Sequence, residues 1–284
     1  MKIIGIGEIV WDMLPQGKQL GGAPLNFAHF AAQLGAEAYA VSAVGKDRLG
    51  DEALAAAAKT SVDLSYIQRR DLPTSRVLIT LDAAGIPQYE IVENVAWDDL
   101  SCSEEALSLM SDASVVCWGS LAQRSPLSRE SILRLIDAAP ESCLRVFDIN
   151  IRQHYYSREI IEGSLKRTDI LKLNEDELPL VAQLLGLEKP IENLFSRFGL
   201  RYLVHTCGAS HSEVYGPKGL LSRLETPKVE VVDTVGAGDS FTAAFVTSLL
   251  NGESVQEAHE TAVRVSAFVC TCHGAIAPLP QSLI

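Results

Sequence analysis

The sequence predicts an α/β fold in which a mostly parallel sheet lies between layers of helices. Three observations predict it: six short apolar runs, amphipathic helical patterns between them, and alternation of strand and helix from residue 100 onward. Uninterrupted apolar strands suit a parallel sheet that is covered on both faces. Regular alternation with helices indicates βαβ units. The 284 residues, 47% of them hydrophobic, are enough for one large α/β domain or two small ones.

The elements can be placed in order along the chain. Residues 24–34 form an amphipathic pattern with a proline at the start and a glycine just past the end, and residues 239–251 form another. The pattern Ser-x-x-Glu at 101–104 and again at 254–257 predicts capping boxes that begin two further helices. We predict the strands of the main sheet at residues 2–7, 38–44, 114–118, 144–148, 170–173 and 202–206.

One region departs from the alternation of strand and helix. Residues 74–92 contain two apolar runs joined by residues 82–85, with no helical pattern between them. This pattern predicts a β-hairpin. A hairpin inserted into a βαβ protein is a candidate lid over an active site. The alternative is an edge hairpin that only extends the main sheet.

Charge and composition exclude several classes of partner. The chain has 24 basic and 36 acidic residues, a net charge of -12, which disfavours nucleic acid and anionic membrane surfaces as partners. No apolar stretch reaches the roughly 18 to 20 residues of a membrane span, and the first residues do not resemble a signal peptide. Six scattered cysteines do not form a dense disulfide framework, so we expect a reducing, cytoplasmic location.

The strongest chemical signal is a glycine-rich turn between a predicted strand that ends at Val232 and a helix. Gly236 and Gly238 allow successive backbone N–H groups to point into one space, and the helix adds the positive end of its dipole. Asp239 at the mouth of this anion hole would repel a phosphate but could accept a proton as a general base. The alternative is that Asp239 only caps the helix. The turn has neither the Walker A pattern nor the dinucleotide fingerprint.

Two motifs carry a family resemblance. Asp-Thr-Val-Gly-Ala-Gly-Asp at 233–239 resembles the C-terminal motif of the PfkB, or ribokinase-like, carbohydrate kinases, and Gly-Gly-Ala-Pro-Leu-Asn at 21–26 resembles their N-terminal motif. The resemblance extends over the whole chain. It implies one kinase domain over residues 1–284, a three-layer sandwich with a mostly parallel central sheet and a small β lid. The lid strands would lie near residues 11–20 and 74–96.

The resemblance also implies the reaction and the roles of individual residues. The family transfers a phosphoryl group from ATP, with Mg²⁺, to a sugar or a sugar-like alcohol. Asp239 would be the catalytic base, beside an anion hole formed by Gly236, Ala237 and Gly238. The expected sugar-binding residues are Asp12, Gly21, Gly22, Asn26, Asn150 and Arg152. The expected nucleotide-binding residues are Asn174, Thr206, Gly208, Gly236 and Gly238.

Metal ions are expected at two places. Asn174-x-x-Glu177 resembles the family motif that places Mg²⁺ through water, with Glu177 as its carboxylate. The same spacing after a strand is also that of a capping box, and both readings can hold together. Asp233 would lie beside a monovalent cation such as K⁺. Cys270-x-Cys272-His273 lacks the spacing of a zinc site.

The motif around Asp148-x-Asn150-x-Arg152 is similar to those of fructokinases and of 2-keto-3-deoxygluconate kinases. We therefore expect ATP-dependent phosphorylation of fructose, with a ribokinase, a 2-keto-3-deoxygluconate kinase or a nucleoside kinase as alternatives. A non-catalytic sugar-binding regulator on the same fold and a dinucleotide-dependent oxidoreductase represent other classes. The resemblance further implies a homodimer through the lid.

Overall fold

In the part of the chain that the structure describes, the strands form two β-sheets, a large one of nine strands and a small one of four. The computed structural model of the protein describes residues 1–14, 17–81 and 87–284. The strands in chain order are β1 (Lys2–Ile6), β2 (Val10–Leu14), β3 (Gly17–Gly21), β4 (Glu37–Gly45), β5 (Ile67–Arg70), β6 (Ser75–Leu81), β7 (Pro87–Ile91), β8 (Val115–Trp118), β9 (Leu144–Asp148), β10 (Ile170–Asn174), β11 (Tyr202–Cys207), β12 (His211–Gly216) and β13 (Gly219–Glu225).

Helices cover both faces of the large sheet. They are α1 (Ala23–Gln33), α2 (Arg48–Ala57), α3 (Glu104–Met110), α4 (Pro126–Asp137), α5 (Arg158–Leu165), α6 (Glu177–Leu185), α7 (Pro190–Phe198), α8 (Ala237–Leu250) and α9 (Val255–Val269). One apolar core packs α1, α2, α8 and α9 against the sheet, and a second core packs α3 to α7 against the opposite face. Within the described ranges, every helix falls short of the length and apolar character that a membrane-spanning segment requires.

The large sheet has the strand order β13-β12-β11-β10-β9-β8-β1-β4-β5. All neighbouring pairs from β11 to β5 are parallel, whereas β12 and β13 run antiparallel at one edge. The prediction of a mostly parallel sheet between helices is therefore confirmed. All six predicted strands are present because each apolar run is buried from both faces.

The small sheet has the order β3-β2-β6-β7 and is separate from the large one. The hairpin of β6 and β7 therefore does not extend the large sheet; β6 pairs with β2 instead. The Trp11 indole N–H donates to the Leu49 carbonyl at 3.0 Å, and Lys18 pairs with Glu52, so that α2 supports this sheet. The predicted connection at residues 82–85 lies outside the described residues.

Two local predictions are wrong. The capping residue of α3 is Ser103, whose hydroxyl accepts from the Ala106 N–H at 3.2 Å, because Ser101 is engaged by Gln68 of β5 at 3.0 and 3.2 Å. The capping box at 254–257 is confirmed.

The second wrong prediction is the strand that ends at Val232. No strand forms there, and the Val232 side chain is exposed. Its N–H donates instead to the Cys270 carbonyl at 2.9 Å, which ties the segment to the end of α9 rather than to a neighbouring strand.

A buried histidine joins α9 to the β12–β13 hairpin. His259 is fully buried, and its two ring nitrogens each lie 2.7 Å from a serine hydroxyl, that of Ser212 and that of Ser222. Burial lowers the pKa of His259 to about 4, against the opposing charge of Glu260. The folded protein therefore holds this ring in its neutral form.

We expect the free energy of unfolding to fall as the pH drops from about 6.5, the ordinary pKa of histidine, to about 4, the pKa of His259 in the folded protein. Above this pH window the lowered pKa has its full stabilising effect, and within the window that effect is lost. The total loss in the free energy of unfolding is on the order of 3 kcal/mol at most. Denaturant titrations measure the free energy of unfolding at pH 7 and at pH 4.5. The difference between the two values should be smaller for His259→Gln than for the wild type. An equal difference would contradict the prediction, and His154→Gln, at an exposed position, is the control.

Candidate active site

The carboxyl ends of β8 and β9 meet the first turns of α1 and α8 at one edge of the large sheet. A small cavity there is lined by residues from all four elements, among them Pro24, Trp118, Asp148 and Asp239. The carboxyl edge of a parallel sheet is the usual place for a ligand in open α/β folds.

Asp239 lies in the first turn of α8 and contacts the N-terminal motif. The Asn26 side-chain amide donates to its Oδ2 at 2.9 Å, although the two residues are 213 positions apart. Asn26 is almost fully buried, and its Oδ1 has no hydrogen-bond partner within the described part of the chain. The two sequence motifs therefore form one site.

The charge state of Asp239 is tuned by its neighbours. Burial, and then the negative charge of Asp148, raise the pKa of Asp239 to about 6. The Asn26 hydrogen bond, Lys172 and Arg152 oppose this shift. A carboxyl group with this pKa is mostly ionised at pH 7 and can accept a proton, which is the property of a general base.

In the described part of the chain, the start of α8 has two backbone N–H groups that remain free, those of Gly238 and Asp239. Gly236 precedes α8 with a φ of 81°, in the left-handed region that favours glycine. The Ala237 N–H donates to the Thr234 carbonyl at 3.2 Å and the Ser240 N–H to the Gly236 carbonyl at 2.8 Å. Between them, the N–H groups of Gly238 and Asp239 meet no backbone acceptor among the described residues. These free donors at a helix start can bind an anion.

The glycine pair of the N-terminal motif has a steric reason. A Cβ on Gly22, whose φ is 120°, would lie 2.3 Å from the Glu8 carbonyl oxygen. A Cβ on Gly21 would lie 3.2 Å from the Asp12 carboxylate. Asp12 itself lies within β2 of the small sheet. Burial raises the pKa of Asp12, and Arg152 opposes that shift.

The loop after β9 carries Asn150 and Arg152. Asn150 has a φ of 46°, and the Arg152 side chain is exposed. The positive charge of Arg152 acts to lower the pKa values of Glu8, Asp12 and Asp239, against the effect of burial on each. The loop therefore contributes a positive charge to the site, in addition to that of Lys172.

Asn174 and Glu177 hold each other across the start of α6. The Glu177 N–H donates to the Asn174 side chain at 2.9 Å, and the Asn174 N–H donates to Glu177 Oε2 at 2.8 Å. This is the reciprocal arrangement of a capping box. Glu177 Oε1 accepts from the Ile151 N–H at 2.8 Å, so this buried carboxylate also fixes the loop after β9.

A metal ion would have few direct protein ligands here. In the described ranges, no group of three or more His, Cys, Asp or Glu side chains is placed to hold a metal ion. Both Glu177 oxygens already accept one backbone hydrogen bond each, and each keeps a lone pair for a further donor such as a metal-bound water. The donor set thus fits Mg²⁺ held through water, since Mg²⁺ usually keeps several of its waters.

The remaining predicted residues lie along the neighbouring edge of the site. Thr206 belongs to β11, next to β10, and Gly208 follows with a φ of 48°. The Asp233 carboxylate accepts from the Val235 N–H at 3.0 Å and from the Gly274 N–H at 3.1 Å. Asp233 thereby joins the glycine-rich turn to the segment after α9.

Sequence reasoning assigned no role to three charged residues of the site: Glu8, Lys172 and Asp148, the last of which it noted only as the first residue of a motif. Each is less than 10% exposed. Burial raises the pKa of Glu8 to about 7, and a backbone hydrogen bond opposes this shift. A signal existed for Lys172, because it is a single charge inside the apolar run 170–173, and a charge in a covered strand needs a partner.

Known proteins match nearly the whole length of the chain. The family model described as pfkB family carbohydrate kinase matches residues 14–282. An ATP-dependent 6-phosphofructokinase from Thermoanaerobacterium thermosaccharolyticum is 28% identical and aligns over 98% of this chain and 91% of its own. A probable fructokinase-2 from Arabidopsis thaliana is 27% identical over 99% and 91%. The structure of a fructokinase with bound ATP from Xylella fastidiosa superposes with a TM-score of 0.88 at 22% identity, covering 99% of this chain and 97% of that one.

Proposed function

The chain belongs to the pfkB family of carbohydrate kinases, and from this premise we propose that it transfers the γ-phosphoryl group of ATP to a hydroxyl group of fructose. The observation that carries the proposal is the contact between Asn26 and Asp239 beside the free N–H groups of Gly238 and Asp239. A base and an anion hole placed together match the needs of phosphoryl transfer to an alcohol.

In the proposed reaction, Asp239 accepts the proton of the attacking hydroxyl group as its oxygen bonds to the γ-phosphorus and ADP leaves. The N–H groups of Gly238 and Asp239 stabilise the charge on the phosphoryl oxygens. Asp12, Gly22, Asn26 and Arg152 surround the sugar, under the small sheet. Closure of that sheet would exclude water, the competing acceptor.

The charge of the cleft supports a neutral sugar rather than a sugar phosphate. Among the described residues, the acceptor side presents the carboxyl groups of Asp12 and Asp239 and the guanidinium of Arg152, and Lys172 lies nearby in an ion pair with Asp148. On the small sheet, Lys18 pairs with Glu52, and Arg76 is opposite Trp11 in the register, on the face away from Asp12. The phosphate group of a sugar phosphate would therefore meet more carboxylates than cations.

Mg²⁺ bound to the ATP phosphates would neutralise their charge, with Glu177 holding its waters. A K⁺ ion beside Asp233 would support the turn that ends in the anion hole.

The small sheet exposes Tyr89 on β7, and 60% of the surface of this residue is accessible to solvent. We propose this sheet as the contact surface of a homodimer.

A substrate panel with coupled detection of ADP tests the proposal. We expect kcat/KM for fructose to exceed that for ribose, fructose 6-phosphate and 2-keto-3-deoxygluconate by about tenfold or more, because each competitor lacks a hydroxyl contact or adds an anion. The Asp239→Asn protein measures the background hydrolysis of ATP.

Two results would count against the proposal in different ways. Fructose 6-phosphate as the best acceptor would contradict the neutral-sugar argument and favour the activity named for the relative from Thermoanaerobacterium. ADP release that no sugar increases would contradict the acceptor class itself.

A further inference from the structure

A buried ion pair lies behind the proposed anion hole. Lys172 Nζ on β10 is 3.1 Å from Asp148 Oδ1 on β9, and both side chains are less than 10% exposed. The Thr242 hydroxyl lies 3.1 Å from Asp148 Oδ2 and 3.0 Å from the Gly238 carbonyl. The pair is thus connected through Thr242 to the first turn of α8.

The ammonium group lies directly against the glycine-rich turn. A Cβ placed on Gly238 would be 2.9 Å from Lys172 Nζ. Asp148, Thr242 and Asp239 line the same cavity of about 10 Å³, roughly the space of one water. Both charges of the pair therefore act on Asp239 and on the turn at short range and within a poorly solvated region.

Stability alone is a weak reason for such a pair. Desolvation of two charges offsets most of their attraction, and an apolar pair of similar volume commonly packs as well. The rest of β9 and β10 is almost entirely apolar where it is buried. The position of the pair behind the anion hole indicates a role in the chemistry of the site.

We propose that Lys172 and Asp148 are positioning residues that act on Asp239 with opposite signs, Lys172 favouring the ionised base and Asp148 opposing it. The inference rests on the proposed function, in which Asp239 is the base. Lys172 also places a positive charge beside Gly238, close to where the transferred phosphoryl group gathers negative charge. Asp148 keeps this ammonium group in place and charged.

The electrostatics agree with these roles. Burial alone would lower the pKa of Lys172, but Asp148, Glu177 and Asp239 outweigh it and raise that pKa. Asp148 raises the pKa of Asp239 and Lys172 lowers it. The titratable and charged groups that face Asp239 from the surrounding elements are Glu8, Cys117, Asp148, Arg152 and Lys172.

A direct titration of Asp239 tests the proposal without turnover. In protein labelled with ¹³C at the aspartate carboxyl groups, NMR would follow the Asp239 pKa in the wild type and in variants, with Asp239→Asn assigning the signal. We expect Lys172→Met to raise this pKa and Asp148→Asn to lower it. The double variant Asp148→Asn/Lys172→Met should fall between the two single variants. A purely structural pair would not move the pKa in opposite directions.

Activity gives the second readout. With fructose, the acid limb of the kcat profile should move to higher pH in Lys172→Met and to lower pH in Asp148→Asn. Lys172→Met should also lose roughly tenfold in kcat at pH 8, where the base is ionised, because a charge behind the anion hole is gone. The controls are Lys2→Met and Asp112→Asn, which make the same chemical changes in a solvent-exposed pair 2.6 Å apart at the amino end of β1.

Shifts in the same direction, or none, in the folded single variants would overturn the inference. If a single variant does not fold, the neutral double variant carries the test: loss of tenfold or more in kcat at pH 8 supports the role of Lys172, and wild-type kcat overturns it. A wild type that phosphorylates no sugar would overturn the proposed function, and the NMR titration would still decide for or against the opposite effects on Asp239.

Discussion

Replacement of Asp239 by asparagine is expected to lower kcat by about 10²- to 10⁴-fold, the usual contribution of a general base. The amide keeps the size of the side chain and can still accept from Asn26, but it cannot take a proton from the attacking hydroxyl group. ATP binding should be largely kept, because the backbone N–H groups of the turn are unchanged. Steady-state kinetics with fructose and calorimetric titration with ATP measure the two quantities.

The control for this variant is Asp112→Asn, the same chemical change at an exposed position at the other end of the sheet. Folding provides a second check. Because burial raises the pKa of Asp239 to about 6, the ionised carboxylate costs stability above that pH. Asp239→Asn should therefore be at least as stable as the wild type at pH 8. Near-normal kcat would contradict the role of Asp239 as the base, and a lower Tm would show that the loss arises from misfolding.

The local sequence pattern was sufficient to predict the strands of the main sheet and the turn that carries Asp239. A strand such as β8 is an uninterrupted apolar run, and a run of that kind suits a sheet that helices cover on both faces. The turn was recognisable because its glycines precede a strongly apolar helix. These signals are local, so they can be recognised without knowing which segments contact each other in the fold.

The relations between distant segments could not be predicted in the same way. The contact of Asn26 with Asp239 joins residues 213 positions apart, and only the family resemblance indicated it. The pairing of Lys172 with Asp148 depends on β9 and β10 being neighbours in the sheet, which periodicity does not specify. The cap of α3 failed for a tertiary reason, since Gln68 from another element occupies Ser101.

The exposed Val231 and Val232 illustrate a further limit. Their apolar sequence predicts a strand, yet the segment pairs with no strand among the described residues. β-propensity describes how well a side chain fits a half-buried sheet surface, so it carries little information where no sheet is present. The error did not affect the turn itself, because glycine conformation and helix start are determined by residues inside the motif.

The second large effect is expected for Gly236→Ala, at the residue that directly precedes α8. Its φ of 81° disfavours any side chain, and a Cβ there would lie 2.9 Å from the backbone oxygen of Ala275. A backbone atom cannot rotate away as a flexible side chain can, so the turn has to move. We expect kcat/KM to fall by about 10²-fold or more, because displaced N–H groups no longer meet the phosphoryl oxygens.

The other end of the same helix offers a matched control. Gly252 follows α8 with a φ of 87°, and a Cβ there would meet nothing within 4 Å. Gly252→Ala therefore adds the conformational cost alone, about 1 to 2 kcal/mol, and should leave kcat/KM close to that of the wild type. Kinetics and thermal unfolding of both variants separate backbone strain from displacement of the turn. Equal kinetic losses in the two proteins would mean that general destabilisation, and not the position of the Gly238 and Asp239 N–H groups, limits the reaction.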